Sequence, residues 1–491
     1  MITRRSFTTT LALAPFCRAA VESEWIDLFD GKSLDGWRAA ENSATWKVVD
    51  GLLVHDGPRS HIYYNGPVHD ANFRNFEMEV EANAAAFCNS GVYFHTVYLE
   101  TGFPKKGFEV QIENTAPGVV GYGERKKTGS LYAVRNIYKP MVSDNEWFRM
   151  SIVVRGKNVQ VRVNGTLVVD YTEPNPPYLP PGQGDRRLDQ GTFALQGHDA
   201  RAAVRFRRVR VRPLPDSIET PGPIPVADDT FKRLVDLATT SIPTVDYHAH
   251  LKPGLTLDQI IARGQHNGIQ YGVAVNAGKL QAVNSDELAI QFVESAKGKP
   301  VFVGMQAEGR EWTGIISKRV ASMFDYVFTD SETWTDNHGK RMRLWIPDEV
   351  GAIPDAQEFM DTLVERTVGI LEHEPIDIYA NPTFLPALIS ADYEKLWTEE
   401  RMHKVVDAAA RNHVAIELNN RYKLPSERFA MMAKDAGCKF SFGTNNASAD
   451  DLGRCEYSLK LVDACKLAGQ HFFVPGLYPK AVERKGDALR A

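Results

Sequence analysis

The chain has 491 residues, and 57 Lys+Arg against 62 Asp+Glu leave a formal net charge of -5. So near a balance gives no global attraction to nucleic acid or to an anionic membrane surface, while 43% hydrophobic and 24% charged residues exclude a wholly disordered or fibrous chain. At about 150 residues per domain, the length predicts two or three domains.

Residues 1–20 read as an address. Arg4 and Arg5 precede an apolar stretch over 11–16, and the segment ends on the small residues Ala19 and Ala20. The pattern resembles a twin-arginine signal and predicts a protein exported already folded, resident in the periplasm. No later stretch is apolar for the roughly 18 residues a membrane helix needs. The five cysteines form no CxxC pair, so neither a zinc knuckle nor a dense disulfide framework is expected. Cys455 and Cys465 flank a stretch that reads as helical and could form at most one bridge.

From 24 to 213 the pattern is that of strands. Phe76, Met78 and Val80 alternate with Glu77, Glu79 and Glu81, and Phe108, Val110 and Ile112 alternate with Glu109, Gln111 and Glu113. Glu113, at a strand end beside Asn114, reads as a surface residue. Asn164-Gly165 supplies the left-handed pair of a tight hairpin. Many short strands between Gly, Asn and Pro predict a β-sandwich. The arginines from Arg201 to Arg212 alternate with Val204, Phe206, Val209 and Val211, which puts most of them on the outer face of a strand and not in a nucleic-acid site.

The proline-rich stretch 214–228 reads as a stiff linker. Beyond it, over 229–491, short β-like runs alternate with helical stretches near 257–266, 286–296, 356–371, 399–412 and 426–436, the pattern of an α/β barrel. Each side of the linker is long enough to be expected to fold alone.

On the strands, Tyr93 and His95 share a face opposite Val92 and Phe94, and Glu109 and Gln111 share a face opposite the apolar row. Brought together on a concave sheet, Tyr93, His95, Glu109 and Gln111 would form a binding surface with an aromatic wall and an acid/base pair, joined by His198; the alternative is an ordinary wet sheet face.

Several ordered fragments sharpen this: 26–37, Trp46 to Leu53, Asn89-Ser90-Gly91-Val92-Tyr93, 107–112, Gly129-Ser130-Leu131-Tyr132, Glu146-Trp147 and Val163-Asn164-Gly165. Together they resemble the 3-keto-disaccharide hydrolase domain family, a concanavalin-like jelly roll. The resemblance implies cleavage of glycosides whose C3 hydroxyl has been oxidised to a ketone: the ketone acidifies the C2 proton, a base removes it, and the C1 substituent is expelled, with water adding back to give net hydrolysis. It implies Glu109 as base or metal ligand, His95 as acid/base or ligand, Tyr132 as proton donor, Lys139 as electrostatic support, and Tyr93, Gln111 and His198 as substrate contacts.

In the second half, Asp246-Tyr247-His248-Ala249-His250 puts two imidazoles on one side of a short strand, with Asp246 placed to orient one of them. Glu308, His338 and Glu417 follow other β-like runs, where barrel sites assemble. The half resembles the PHP family of metal-dependent (β/α)7 barrels, and that resemblance implies metal ligands at His248, His250, Glu308 and His338. Asn381 and Asn446 stand where charged or imidazole ligands are usual, which implies one ion at most, zinc, manganese or calcium, in a degenerate barrel. A second divalent site is expected beside Glu109, and no nucleotide cofactor. The alternative to a sandwich enzyme is a non-catalytic carbohydrate-binding sandwich joined to a PHP-like hydrolase. Trp312, Trp334, Trp345 and Trp397 read mostly as packing, with sugar stacking as the other use.

Overall fold

Period-two alternation builds the first half of the molecule. The computed structural model describes residues 24–116, 124–183, 185–335 and 340–490; the leader-like segment and His338 lie outside the described residues. An eight-stranded antiparallel sheet packs on a five-stranded one, a sandwich consistent with a jelly roll. Phe76, Met78, Val80, Phe108, Val110 and Ile112 are buried between the sheets with Val204, Phe206 and Val209. Each such side chain removed from water contributes about 1.5–3 kcal/mol.

On the outside of the larger sheet, strand Phe76–Ala84 pairs with Val204–Pro213 so that Glu77, Glu79 and Glu81 face Arg212, Arg210 and Arg208. Arg210 lies 2.7 Å from Glu79 and Arg212 2.5 Å from Glu77, so the arginine row is an ion-pair ladder. The hairpin at Asn164 and Gly165 has φ of 49° and 85°, the left-handed pair expected for that turn.

The second half is a closed barrel of seven parallel strands, Val245–His250, Gln270–Ala277, Phe302–Ala307, Tyr326–Thr329, Ile378–Tyr379, Ala415–Asn419 and Phe440–Gly443. Closure comes from Asp246 pairing with Phe442. Helices Leu257–Asn267, Asp286–Ser295, Ala356–His373, Glu399–Arg411 and Glu427–Asp435 cover it, each beginning at a Thr, Ser or Asp whose side chain caps the first turn. Tyr247, Phe302, Tyr326 and Phe328 fill the interior. No helix among the described residues is long and apolar enough to cross a membrane. Cys88, Cys438, Cys455 and Cys465 are free thiols, so the bridge does not form. Trp312, Trp334 and Trp397 are buried and Trp345 is exposed.

One expectation, the exposure of Glu113, is corrected here. The linker is fastened to the sandwich: Leu214 N–H donates to Asn75 O, Asn75 Nδ2 to Pro215 O, and Lys157 N–H to Thr220 Oγ1. Glu113 is not on the surface; it is fully buried and ion-paired to Lys127, and its Oε1 accepts from Thr115 N–H at 2.8 Å. The halves also share a polar and aromatic seam. Arg125 Nη1 donates to Gly469 O at 2.7 Å, Asn136 Nδ2 to Ala238 O at 2.9 Å, and the Tyr138 ring packs with Tyr247, Phe302 and Tyr326 at the end of the barrel where its strands begin.

Candidate active site

The smaller sheet runs Trp37–Ala39, Ser60–Tyr64, Thr192–Gly197, Ser90–Thr96, Phe108–Ile112. Its register draws two rows across the face turned away from the core. Tyr63, Ala194, Tyr93 and Glu109 make one row; His61, Gln196, Gly91 and Gln111 make the next. Because i and i+2 share a face, both rows fall on the same side.

Above them is an open cleft of about 710 Å³, lined by Tyr93, Glu109, Gln111, Tyr132, Arg186 and His198 among others, with Thr239 of the second half at its edge. Five residues expected from sequence thus meet here: Tyr93, Glu109, Gln111, Tyr132 and His198. The His198 ring lies 5.1 Å from that of Phe103 and its Nδ1 is 3.1 Å from Asp199 Oδ2.

Glu109 lies on the floor of the cleft. Gln196 Nε2 donates to Tyr93 Oη at 3.0 Å, and Tyr93 O–H donates to Glu109 Oε2 at 2.8 Å. The glutamate side chain lies over Gly91, where a Cβ would sit 2.4 Å from Oε1, so the floor needs glycine. Burial raises the Glu109 carboxyl to about 7, against the lowering effect of the Tyr93 hydrogen bond and of Arg186. A carboxyl balanced near neutrality suits a general base.

Opposite it, Tyr132 O–H donates to Glu124 Oε2 at 3.2 Å, while the Lys126 ammonium stands 4.7 Å from the Tyr132 ring centre and 3.7 Å from Glu124 Oε1. Burial, then the Glu124 charge, pushes the Tyr132 hydroxyl up, so it stays protonated. Burial likewise lowers Lys126. Arg186 Nη1 donates to Tyr132 O at 2.9 Å and faces the cleft. Gln111 Nε2 donates to Asn89 Oδ1, whereas Gln111 Oε1 and Gln196 Oε1 are buried without a partner.

Two expected residues lie elsewhere. His95 has φ of 55° beside a register irregularity between Thr192 and Ala194, and this bulge reverses its parity with Tyr93. Its ring packs against Phe76 and Phe94 of the core, Nε2–H donates to Arg74 O at 2.9 Å, and Nδ1 accepts from Asp189 N–H. Burial lowers it to about 4, so it is a neutral structural imidazole. Lys139 is a clasp between the halves, its ammonium 2.8 Å from Val301 O and 2.8 Å from Asp325 Oδ2. Arg186 and Lys105 line the cleft in its place, with Lys126 against the Tyr132 ring. Sequence reasoning missed them with Glu124, because loop residues carry no periodic signal; it also missed His61, which strand Ser60–Tyr64 places in the row with Gln196 and Gln111.

In the barrel, His248, Glu308 and Glu417 gather at the ends of the strands, each with a hydrogen-bond partner, while His248 Nε2 is buried without one. His248 Nδ1 is 2.5 Å from Glu417 Oε1, Glu417 Oε2 accepts from Asn381 N–H, and Asn276 Nδ2 donates to Glu308 Oε1. His250 Nδ1–H donates to Ala274 O, and Asn446 clasps the His250 backbone, accepting from its N–H at 2.7 Å and donating to its O at 3.1 Å. Asp246 orients no imidazole: its Oδ1 accepts from the backbone N–H groups of His248 and Thr444. Among the described residues no group of three or more His, Cys, Asp or Glu side chains is arranged to hold a metal ion. Around Glu109 the cleft is lined by Arg186 and Lys105, and Glu124 is held by Tyr132 and Lys126.

Comparison with known proteins bears mainly on the first half. A curated 3-keto-disaccharide hydrolase of Bacteroides thetaiotaomicron is 27% identical over 172 residues, covering 30% of this chain and 58% of the relative; the chain thus spans less than two thirds of that protein. Among solved structures, a candidate glycosyl hydrolase of Parabacteroides distasonis is 23% identical, covers 39% of this chain and 94% of its own, and has a TM-score of 0.33. A histidinol phosphate phosphatase of Lactococcus lactis is 12% identical, covering 48% and 98%, with a TM-score of 0.33. Residues 24–212, which include every sandwich residue of the cleft, match the family described as the 3-keto-alpha-glucoside-1,2-lyase-like domain.

Proposed function

We propose that the sandwich cleft breaks the glycosidic bond of 3-keto-glycosides by removing the C2 proton and expelling the C1 substituent. The observation that carries this reading is Glu109, a buried carboxyl raised to about 7 on the floor of a polar cleft. A C3 ketone acidifies the neighbouring C–H, so one base suffices where an ordinary glycosidase needs two flanking carboxylates.

Glu109 takes the C2 proton, and the electron pair moves onto the C3 oxygen as an enediolate. Arg186, with Lys105 the other cation lining the cleft, stabilises that developing charge. Collapse of the enediolate re-forms the ketone, creates a C1–C2 double bond and breaks the C1–O bond. Tyr132, the protonated hydroxyl of the cleft, gives its proton to the leaving oxygen. Water adding across the double bond completes net hydrolysis. Gln111 Oε1 and Gln196 Oε1, buried and unpartnered, accept from sugar hydroxyls, and Phe103 offers an aromatic edge. The leader-like residues 1–20 support an exported, periplasmic enzyme acting on sugars outside the cytoplasm.

The test is to feed the full chain a 3-keto-disaccharide and the unoxidised parent sugar. Release of product from the keto sugar alone supports the reading. Binding of both intact sugars without turnover would instead establish a carbohydrate-binding module.

A further inference from the structure

The segment from Glu124 to Lys139 carries Tyr132 and Glu124 into the cleft, with Lys126 against the Tyr132 ring, yet much of its anchoring comes from the barrel. Gln270, the first residue of strand Gln270–Ala277, is buried; its Oε1 accepts from Tyr138 N–H at 2.8 Å and from Lys139 N–H at 3.1 Å, and its Nε2 donates to Pro300 O at 3.1 Å. Asn136 works in both directions, accepting from Ala133 N–H at 3.0 Å, next to Tyr132, and donating to Ala238 O at 2.9 Å, next to the cleft residue Thr239. At the opposite flank Arg125, adjacent to Lys126, donates to Gly469 O at 2.7 Å. All these barrel groups belong to the end where the strands begin or to the chain beside it, away from the His248 and Glu417 end.

We infer that the barrel is a positioning partner of the sandwich cleft, with Gln270 the positioning residue that fixes the segment bearing Tyr132 and Lys126. This rests on the cleft being the site of reaction. Two consecutive backbone donors held by one buried amide oxygen fix the direction of the chain as it leaves Asn136, and the Arg125 contact fixes it at the other side. Misplacement of a reacting group by about 1 Å costs roughly 100-fold in rate, so a clamp of this kind acts on kcat.

The test uses the full chain with Gln270→Leu, Gln270→Glu and Arg125→Met. Q270L removes the acceptor shared by Tyr138 and Lys139, whereas Q270E keeps a carboxylate oxygen there. R125M cuts the other anchor without disturbing the barrel core, so one variant remains informative if Q270L fails to fold. In amide hydrogen exchange, Q270L should lose protection at Tyr138 and Lys139 and across 124–135 while strands 302–307 and 415–419 stay protected. Its kcat on a 3-keto-disaccharide should fall about 10- to 100-fold with KM changed less than about threefold, with Q270E recovering most of the rate and R125M lowering kcat in the same direction. Unchanged exchange over 124–135 in both Q270L and R125M would overturn the inference, as would normal kcat in both. If the wild-type chain turns over no keto sugar, the reaction assigned to the cleft fails, while the exchange experiment still decides whether the barrel holds the segment.

Discussion

Replacing Glu109 by glutamine should make the protein more stable and far less active. The folded carboxyl ionises near 7 against an ordinary 4.5, so the folded state holds this proton more tightly than the unfolded chain does. Stability contributed by the protonated form is therefore lost as pH rises from about 4.5 to about 7, and the loss is complete above that. At 1.36 kcal/mol per pKa unit the gap corresponds to about 3 kcal/mol. Glutamine cannot ionise, and its Oε1 can still accept from Tyr93 O–H, so Glu109→Gln escapes this loss. Denaturant melts of both proteins should show a small gain at pH 5 that grows toward about 3 kcal/mol at pH 8. Over the same range, kcat/KM of the wild type should rise through about pH 7 as the base deprotonates, while the variant should lose about 10²–10⁴ in kcat. A gain of equal size at both pH values would refute the argument from burial, because a merely better-packed amide would show no pH dependence. Undiminished turnover by E109Q would remove Glu109 as the base.

Gly91→Ala should push the Glu109 carboxylate aside, since the added Cβ would lie 2.4 Å from Oε1; turnover should fall at least about tenfold while circular dichroism stays native. Lys127→Met should destabilise by about 3–5 kcal/mol by leaving Glu113 buried without its cation, and the double variant Lys127→Met, Glu113→Gln should recover much of that in a denaturant double-mutant cycle. Dialysis against a chelator should leave cleft turnover unchanged, because Lys105 and Arg186 already line the cleft with positive charge; a loss restored by zinc, manganese or calcium, followed by elemental analysis, would show otherwise.

Glu109 and Gln111 were legible in the sequence because strand parity is strict over Phe108–Ile112, and the same parity placed Tyr93. His95 escaped it because one residue with positive φ reverses the face on which every following side chain falls, and nothing in a Thr-flanked histidine marks such a bulge. The barrel helices were readable to within about two residues from their apolar spacing and their Thr, Ser and Asp caps. Lys126 and Arg186 come from loops, whose paths depend on tertiary contacts. Lys139 had the right chemistry for an electrostatic role, but the seam between the halves, invisible in a linear reading, claims it.

Tyr138 occupies the end of the barrel nearest the cleft, above an interior already filled by Tyr247, Phe302, Tyr326 and Phe328. The barrel axis is therefore a closed road. A small molecule in the cleft cannot reach the His248–Glu417 pair through it, and must go by way of bulk solvent.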